Sequence, residues 1–332
     1  MDEVHLLMPT PLPRRIRDEL DARFTVCRLF EAEDQEATLA AVAPQVRAIA
    51  TGVPILVEDV SFPITGELMS RLPKLEMIAN LGVGYDNIDI AAARARGVLV
   101  SNTPDVLTEE TADTAFALML NAVRQLPRAE RWLREGRWLE KPFELTASLR
   151  GRTIGVLGMG RIGRAIARRA EAFGVRVIYH SRRQLPDTPY QYVDSVLNLA
   201  RACDVLMVVV PGGPETRHIV NAEVLDALGP TGVLVNIARG SAVDEDALIA
   251  ALRDRRILTA GLDVFADEPR VPAELLTMDH VVLLPHVGSA THVTREAMGR
   301  LLVENLLAWA DGRQPPTLTP ETPWRGARKR AH

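Results

Sequence analysis

Three ionisable side chains stand just past apolar runs in the C-terminal half of the chain. Arg239 follows VLVNIA, Glu268 follows GLDVFAD and His286 follows VVLLP. If each run is a strand of an open α/β sheet, each residue falls at a carboxyl end, where such sheets bind ligands. Reduction of a ketone by hydride needs a proton for the developing alkoxide, and a His286 imidazolium can deliver it. A carboxylate beside that ring, Glu268, favours its protonated form and fixes its tautomer. A guanidinium, Arg239, polarises the ketone and grips a substrate carboxylate with paired donors. Singly, each has a plainer reading, a surface arginine or a structural histidine. The set, in these positions, points to catalysis.

A second constellation binds rather than reacts. Gly158-Met159-Gly160-Arg161-Ile162-Gly163 follows the apolar run TIGVL and opens the helical stretch RAIARRAEAFG. G-x-G-x-x-G between strand and helix is a dinucleotide fingerprint. Its first glycine permits the turn, its second lets a pyrophosphate approach the backbone, and its third lets helix and strand pack closely. The anion then rests on the helix N-terminus. An ordinary glycine-rich turn is the plainer alternative. Some 20 residues on, where NAD-binding domains carry an acid for the ribose hydroxyl, the chain reads His180-Ser181-Arg182-Arg183. No carboxylate is present there, and guanidinium groups suit a 2′-phosphate. Ser181, Arg182 and Arg183 therefore indicate NADP(H), with NAD(H) as the weaker alternative. A solvated basic loop is the other reading.

Short apolar runs alternate with amphipathic stretches along the chain, the pattern of βαβ units on parallel sheets. Runs at 4–8, 46–51, 77–80 and 98–101 predict strands and 12–23 a helix, a small flavodoxin-like sheet with the turn Leu81-Gly82-Val83-Gly84 at one strand end. From Thr108, as N-cap, the residues Ala112, Ala115, Phe116, Met119, Leu120 and Val123 make one helical stripe. Residues 126–149, with Trp132 and Trp138, read as irregular. Runs at 153–157, 176–179, 205–210, 233–236, 259–262 and 281–284 predict a six-stranded doubly wound domain. A last helix, 291–310, is placed to cross back onto the first sheet, and the proline-rich tail after Pro315, ending in the basic run Arg325 to Arg330, reads as frayed.

These residues resemble the D-2-hydroxyacid dehydrogenase family, nearest its glyoxylate/hydroxypyruvate and hydroxyphenylpyruvate reductases. The segments that carry the resemblance are NLGVGYDNID (80–89), NTPDVLTEETAD (102–113), VLGMGRIGRAIARRAEAFG (156–174), YHSRR (179–183), NIARGSAVDEDAL (236–248), GLDVFADEP (261–269) and LPHVGSAT (284–291). The resemblance implies two doubly wound α/β domains, a Rossmann cofactor domain (103–286) inserted in a discontinuous flavodoxin-like substrate domain (1–102 plus 287–332). It implies that Arg239 binds the substrate's carboxylate and keto oxygen, and that His286 is the proton donor with Glu268 as its partner. The backbone amides of Val83 and Gly84 would receive the substrate carboxylate, as an anion nest does, and Ser289 would line the same site. Asp263 and the Ile237 carbonyl, with Ala238 and Gly288 beside them, would meet the nicotinamide end. Thr108 would approach the cofactor, and Val210, Pro211 and Thr216 would flank its adenosine side. Members are usually homodimers through residues 105–150. Trp138 either reaches the partner's active site or only packs.

The implied activity is an NADPH-preferring reductase of small 2-oxo acids, converting glyoxylate and hydroxypyruvate to glycolate and D-glycerate. Aromatic 2-oxo acids or 2-ketogluconate are the rival substrates. A dinucleotide-sensing, corepressor-like scaffold is the rival of another class, although no long disordered arm for partner peptides is apparent. The substrate-facing stretch 57–62 matches no readable motif.

Composition bounds these readings. The 332 residues are 47% hydrophobic and 25% charged, enough for two globular cores and unlike a disordered chain. With 39 basic against 43 acidic residues, the net charge of −4 gives no basic excess for nucleic acid. Two cysteines, Cys27 and Cys203, suit a reducing compartment, and no metal-ligand spacing emerges. Neither a signal peptide nor a membrane-length apolar run is present, so a cytoplasmic location is expected.

Overall fold

A computed structural model describes residues 4–52 and 62–326. The unread stretch 57–62 falls almost wholly outside the described residues, as does the end of the basic tail. The chain forms two compact units. One joins Met1–Leu107 to Thr291–His332, and the other, Thr108–Ala290, interrupts it in sequence.

In the discontinuous unit, β1 (His5–Met8), β2 (Thr25–Arg28), β3 (Val46–Gly52), β4 (Met77–Leu81) and β5 (Leu99–Ser101) form a parallel sheet in the order β2-β1-β3-β4-β5. This is the doubly wound flavodoxin order. The central strands β3 and β4 are almost wholly buried and mostly apolar, broken by Arg47, Thr51 and Asn80. Edge strand β2, TVCR, is half-exposed along its whole length, and its polar pattern gave no strand signal. Leu7, Ile49, Ile64, Leu72, Ile78 and Val100 pack one face.

The C-terminal helix His292–Ala310 returns to this unit, as the sequence predicts. Thr291 caps it, its hydroxyl accepting from Thr294 N–H at 3.2 Å. A Cβ on Gly299 would lie 2.4 Å from Ile16 Cδ1, so the two helices touch at a glycine. The tail is bonded to the sheet as far as Thr322 rather than frayed from Pro315. Thr317 bonds Asn305 and the Asn102 carbonyl, and Leu318 bridges to Ser101. Thr319 N–H donates to the Val100 carbonyl, and Thr322 Oγ1 accepts from Val100 N–H. Composition suggested disorder, but threonine hydroxyls satisfy the outer edge of β5.

In the inserted unit, β6 (Thr153–Leu157), β7 (Arg176–His180), β8 (Gln191–Tyr192), β9 (Val205–Val208), β10 (Val233–Asn236), β11 (Thr259–Leu262) and β12 (Val282–Leu283) are all parallel. Their order is β12-β11-β10-β9-β6-β7-β8. This is the Rossmann order, reversing direction between β6 and β9, with one strand added at the β12 edge. The sheet therefore has seven strands rather than the six expected, because β8 is only two polar-edged residues long. The run at 205–210 also overshoots, since the strand ends at Val208, with Val209 N–H still donating to the Leu157 carbonyl at 2.9 Å.

The helix Thr108–Arg124 lies on β11, where a Cβ on Gly261 would come within 2.8 Å of Leu118 Cγ. Thr108 is its first helical residue. Residues 126–149 are not wholly irregular. Leu126–Arg134 is a helix opened by Pro127 and Arg137–Leu139 is a 3-10 turn, both largely exposed. Few buried positions mark this segment, so its periodicity is weak.

Candidate active site

Arg239, Asp263, Glu268 and His286 all leave the carboxyl ends of three neighbouring strands, β10, β11 and β12. The loops that carry them are fixed by specific side chains. Asn236, 1% exposed at the end of β10, donates from Nδ2 to the Arg239 carbonyl at 2.9 Å and accepts from Ala238 N–H at 3.1 Å. The next residue, Gly240, has no room for a side chain: a Cβ would lie 1.9 Å from the Phe265 carbonyl carbon and oxygen. The arginine loop and the glutamate loop are thus pressed backbone to backbone. Neither Asn236 nor Gly240 was singled out from the sequence, though NIARG sits beside the arginine.

Glu268 Oε1 accepts from Phe265 N–H at 3.0 Å, and Glu268 Oε2 lies 2.7 Å from His286 Nδ1. Burial pushes the Glu268 carboxyl up. The His286 bond and charge, the Phe265 N–H and the Arg239 guanidinium together outweigh it and hold the carboxyl below its ordinary range. The carboxylate is therefore ionised, His286 Nδ1 donates to it, and Nε2 is the nitrogen left to carry a transferable proton. Both side chains keep about a third of their surface open, 29% for His286 and 32% for Glu268.

His286 adopts φ 53°, a left-handed conformation uncommon for a non-glycine residue. Asp263 braces the chain that follows. Its two oxygens accept from Val287 N–H at 2.7 Å and Gly288 N–H at 2.9 Å. Burial raises the Asp263 carboxyl against those two bonds. A Cβ on Gly288 would meet Asp263 Oδ2 at 2.9 Å. Each carboxylate oxygen retains further acceptor capacity. Ser289 follows on the same loop, half-buried.

The glycine fingerprint sits at the β6/β9 reversal. Gly158 has φ 104°, and a Cβ there would lie 2.7 Å from the Val209 carbonyl oxygen. A Cβ on Gly163 would fall 2.2 Å from the Gly158 carbonyl oxygen. Around Gly160 there is nothing within 4 Å. The first and third glycines are closed by protein and the second faces open space, the division of labour a pyrophosphate cradle needs. Gly160 is the N-cap of the helix Arg161–Ala172, with no side-chain cap in the position an anion would take. Met159 is buried and Ile162 packs against the core. These residues fit a dinucleotide.

Beyond β7, Ser181 Oγ donates to the Arg183 carbonyl at 2.9 Å, closing a tight turn. Arg182 is almost fully exposed, 3.9 Å from Glu215, and Arg183 is exposed. After β9, Thr216 Oγ1 donates to the Pro211 carbonyl at 2.6 Å, which folds the loop beside half-buried Val210. Ile237 is buried and Ala238 half-buried between β10 and Arg239. Thr108 opens its helix, half-buried. In the other unit, Val83 and Gly84 occupy the turn after β4. Among the described residues no His/Cys/Asp/Glu group could hold a metal, and no helix is long and apolar enough to cross a membrane.

The family model for the NAD binding domain of D-isomer specific 2-hydroxyacid dehydrogenases matches residues 116–288. A glyoxylate/hydroxypyruvate reductase A of Arabidopsis thaliana is 43% identical over 320 residues, covering 96% of this chain and 99% of the relative. A hydroxyphenylpyruvate reductase of Plectranthus scutellarioides is 44% identical over the same coverage. A solved structure, the NADPH-dependent glyoxylate/hydroxypyruvate reductase of Sinorhizobium meliloti in complex with NADP and malonate, superposes with TM-score 0.89 at 45% identity, covering both chains fully. The protein belongs to the D-isomer specific 2-hydroxyacid dehydrogenases.

Proposed function

We propose that this dehydrogenase is an NADPH-preferring reductase of small 2-oxo acids, converting glyoxylate and hydroxypyruvate to glycolate and D-glycerate. The observation that carries the reading is the His286–Glu268 pair at 2.7 Å, with the Arg239 charge acting on the same carboxylate. The names of the Arabidopsis and Sinorhizobium relatives support the substrates, and the NADP of the latter supports the cofactor. The cradle Gly158–Gly163 would hold the pyrophosphate, and Ser181, Arg182 and Arg183 the 2′-phosphate. Val210, Pro211 and Thr216 would border the adenosine, and Thr108, Ile237, Ala238, Asp263 and Gly288 the nicotinamide end. NAD(H) would bind more weakly.

When bound, the cofactor supplies a hydride to the keto carbon. Arg239 pairs with the 2-oxo acid and draws electron density toward its keto oxygen. His286 gives its Nε2 proton to that oxygen, while Glu268 keeps Nδ1–H in place and stabilises the imidazolium. The Val83 and Gly84 amides receive the substrate carboxylate, and Ser289 lines its site. Residues 1–102 with 287–332 would serve as the substrate domain and 103–286 as the cofactor domain.

The chain would act as a cytoplasmic homodimer. Leu126, Leu133, Trp138, Leu139 and Leu145 are exposed apolar side chains within a single stretch, as a self-association arm would be. Both cysteines are unpaired thiols, which suits a reducing compartment.

The test is steady-state reduction of a panel of 2-oxo acids with NADPH and with NADH. Glyoxylate or hydroxypyruvate should lead in kcat/KM, with NADPH the better donor. Phenyl-bearing 2-oxo acids leading by tenfold, an outcome the Plectranthus relative makes worth testing, would move the substrate assignment. NADPH binding without turnover of any panel member would favour a sensing scaffold.

A further inference from the structure

The turn after β4 is held from behind by side chains that the reaction itself does not use. Asn80 Nδ2 donates to the Gly84 carbonyl at 2.9 Å and reaches the Gly82 carbonyl at 3.4 Å. Asn102 Nδ2 donates to the Val83 carbonyl at 2.8 Å. Thr103 takes Gly82 from both sides, its Oγ1 accepting from Gly82 N–H at 3.0 Å and its N–H donating to the Gly82 carbonyl at 2.9 Å. All three carbonyls of the turn are thereby drawn to the protein side. No acceptor among the described residues takes the N–H of Val83 or Gly84. Two successive donors without partners form a concavity for an anion.

Asn80 is an expensive way to build a turn. It is 1% exposed, and its Oδ1 is buried with no hydrogen-bond partner. An unpaired buried acceptor is costly. Rotating the amide would not help, because Oδ1 would then face two carbonyl oxygens. The residue makes sense if what matters is where its amide nitrogen sends the carbonyls.

We propose that Asn80 and Asn102 are positioning residues that rotate the peptide planes of the 82–84 turn, so that the Val83 and Gly84 N–H groups together receive the carboxylate of the 2-oxo acid. This rests on the reductase reading above and adds the origin of its selectivity for carboxylate-bearing carbonyls. A substrate without that carboxylate gains nothing from the nest and loses nothing when it is misaligned.

The experiment compares wild type with Asn102→Ala and Asn80→Ala by three readouts: kcat/KM for glyoxylate against the uncharged glycolaldehyde, calorimetric binding of oxalate to the NADPH-loaded enzyme, and NADPH affinity by fluorescence. Asn102 is only half-buried, so its variant keeps the test open if Asn80→Ala fails to fold. Each folded variant should lose about tenfold or more in glyoxylate kcat/KM, chiefly through KM, and as much in oxalate affinity, since tenfold is a modest hydrogen-bond energy. Its glycolaldehyde rate and NADPH affinity should stay within about twofold. Equal losses on glyoxylate and glycolaldehyde, or unchanged oxalate binding, would overturn the proposal. A wild type that neither reduces glyoxylate nor binds oxalate would overturn the reductase reading instead, and the inference with it.

Discussion

His286 Nδ1 and Glu268 Oε2 lie 2.7 Å apart, although 18 residues separate them in the chain. The pairing fixes which face of the imidazole is open. With Nδ1 committed to a carboxylate that stays ionised, only Nε2 can meet a reacting oxygen. The arrangement depends on backbone as much as on the pair, since Asp263 supports the loop after His286 and Gly240 seats the Arg239 loop against Phe265.

Neutralising the partner should therefore change pH behaviour. Glu268→Gln keeps the shape but removes the carboxylate that holds His286 Nδ1–H and fixes the tautomer. Reduction at neutral pH should fall about ten- to a hundredfold. The stability effect has its own sign. The folded carboxyl lies below its ordinary value of 4.5, so its contribution is present above that pH and is lost as pH falls through the depressed value. Melting temperatures of wild type and variant, measured down the acid side, should converge. A constant gap from pH 7 to pH 3 would argue that Glu268 does not titrate low.

The glycines of the cradle should separate folding from binding. Gly163→Ala drives a methyl to within 2.2 Å of the Gly158 carbonyl oxygen. That overpacking costs about 1–3 kcal/mol or more, at about 2–4 °C each for a domain of this size. Gly160→Ala meets nothing within 4 Å, so its melting temperature should hold. Its NADPH affinity should nonetheless drop about tenfold or more, because the methyl would occupy the approach of the pyrophosphate. Thermal denaturation and NADPH fluorescence titration read the two effects. Unchanged affinity in Gly160→Ala would remove the cradle from cofactor binding.

Cofactor choice is tested at Arg182. This side chain is almost fully exposed and has only a distant carboxylate, Glu215 at 3.9 Å, so it contributes little to stability. Arg182→Glu should melt like wild type yet raise KM for NADPH about tenfold or more relative to NADH. An unaltered preference would show that the loop does not read the 2′-phosphate.

Much of this was legible before any coordinates, for identifiable reasons. Strands β6, β10 and β11 read cleanly because parallel strands buried on both faces are predominantly apolar along their length. Arg239, Glu268 and His286 could be read because ionisable residues stand out at the ends of such runs. What stayed hidden was exposed, short or indirect. Strand β2 is half-exposed, and β8 has two residues. The helix Leu126–Arg134 buries only Trp132. The tail was ordered by threonine hydroxyls that composition does not reveal, and Gly240 and Asn236 act through backbone contacts that no residue spacing encodes.

The role of His286 as proton donor is tested most directly by turnover and NADPH affinity measured together on His286→Ala. Removing a general acid should lower kcat for glyoxylate by about 10²–10⁴-fold while leaving the NADPH dissociation constant within about threefold of wild type. Turnover close to wild type, or equal loss of turnover and NADPH binding in a folded variant, would contradict it.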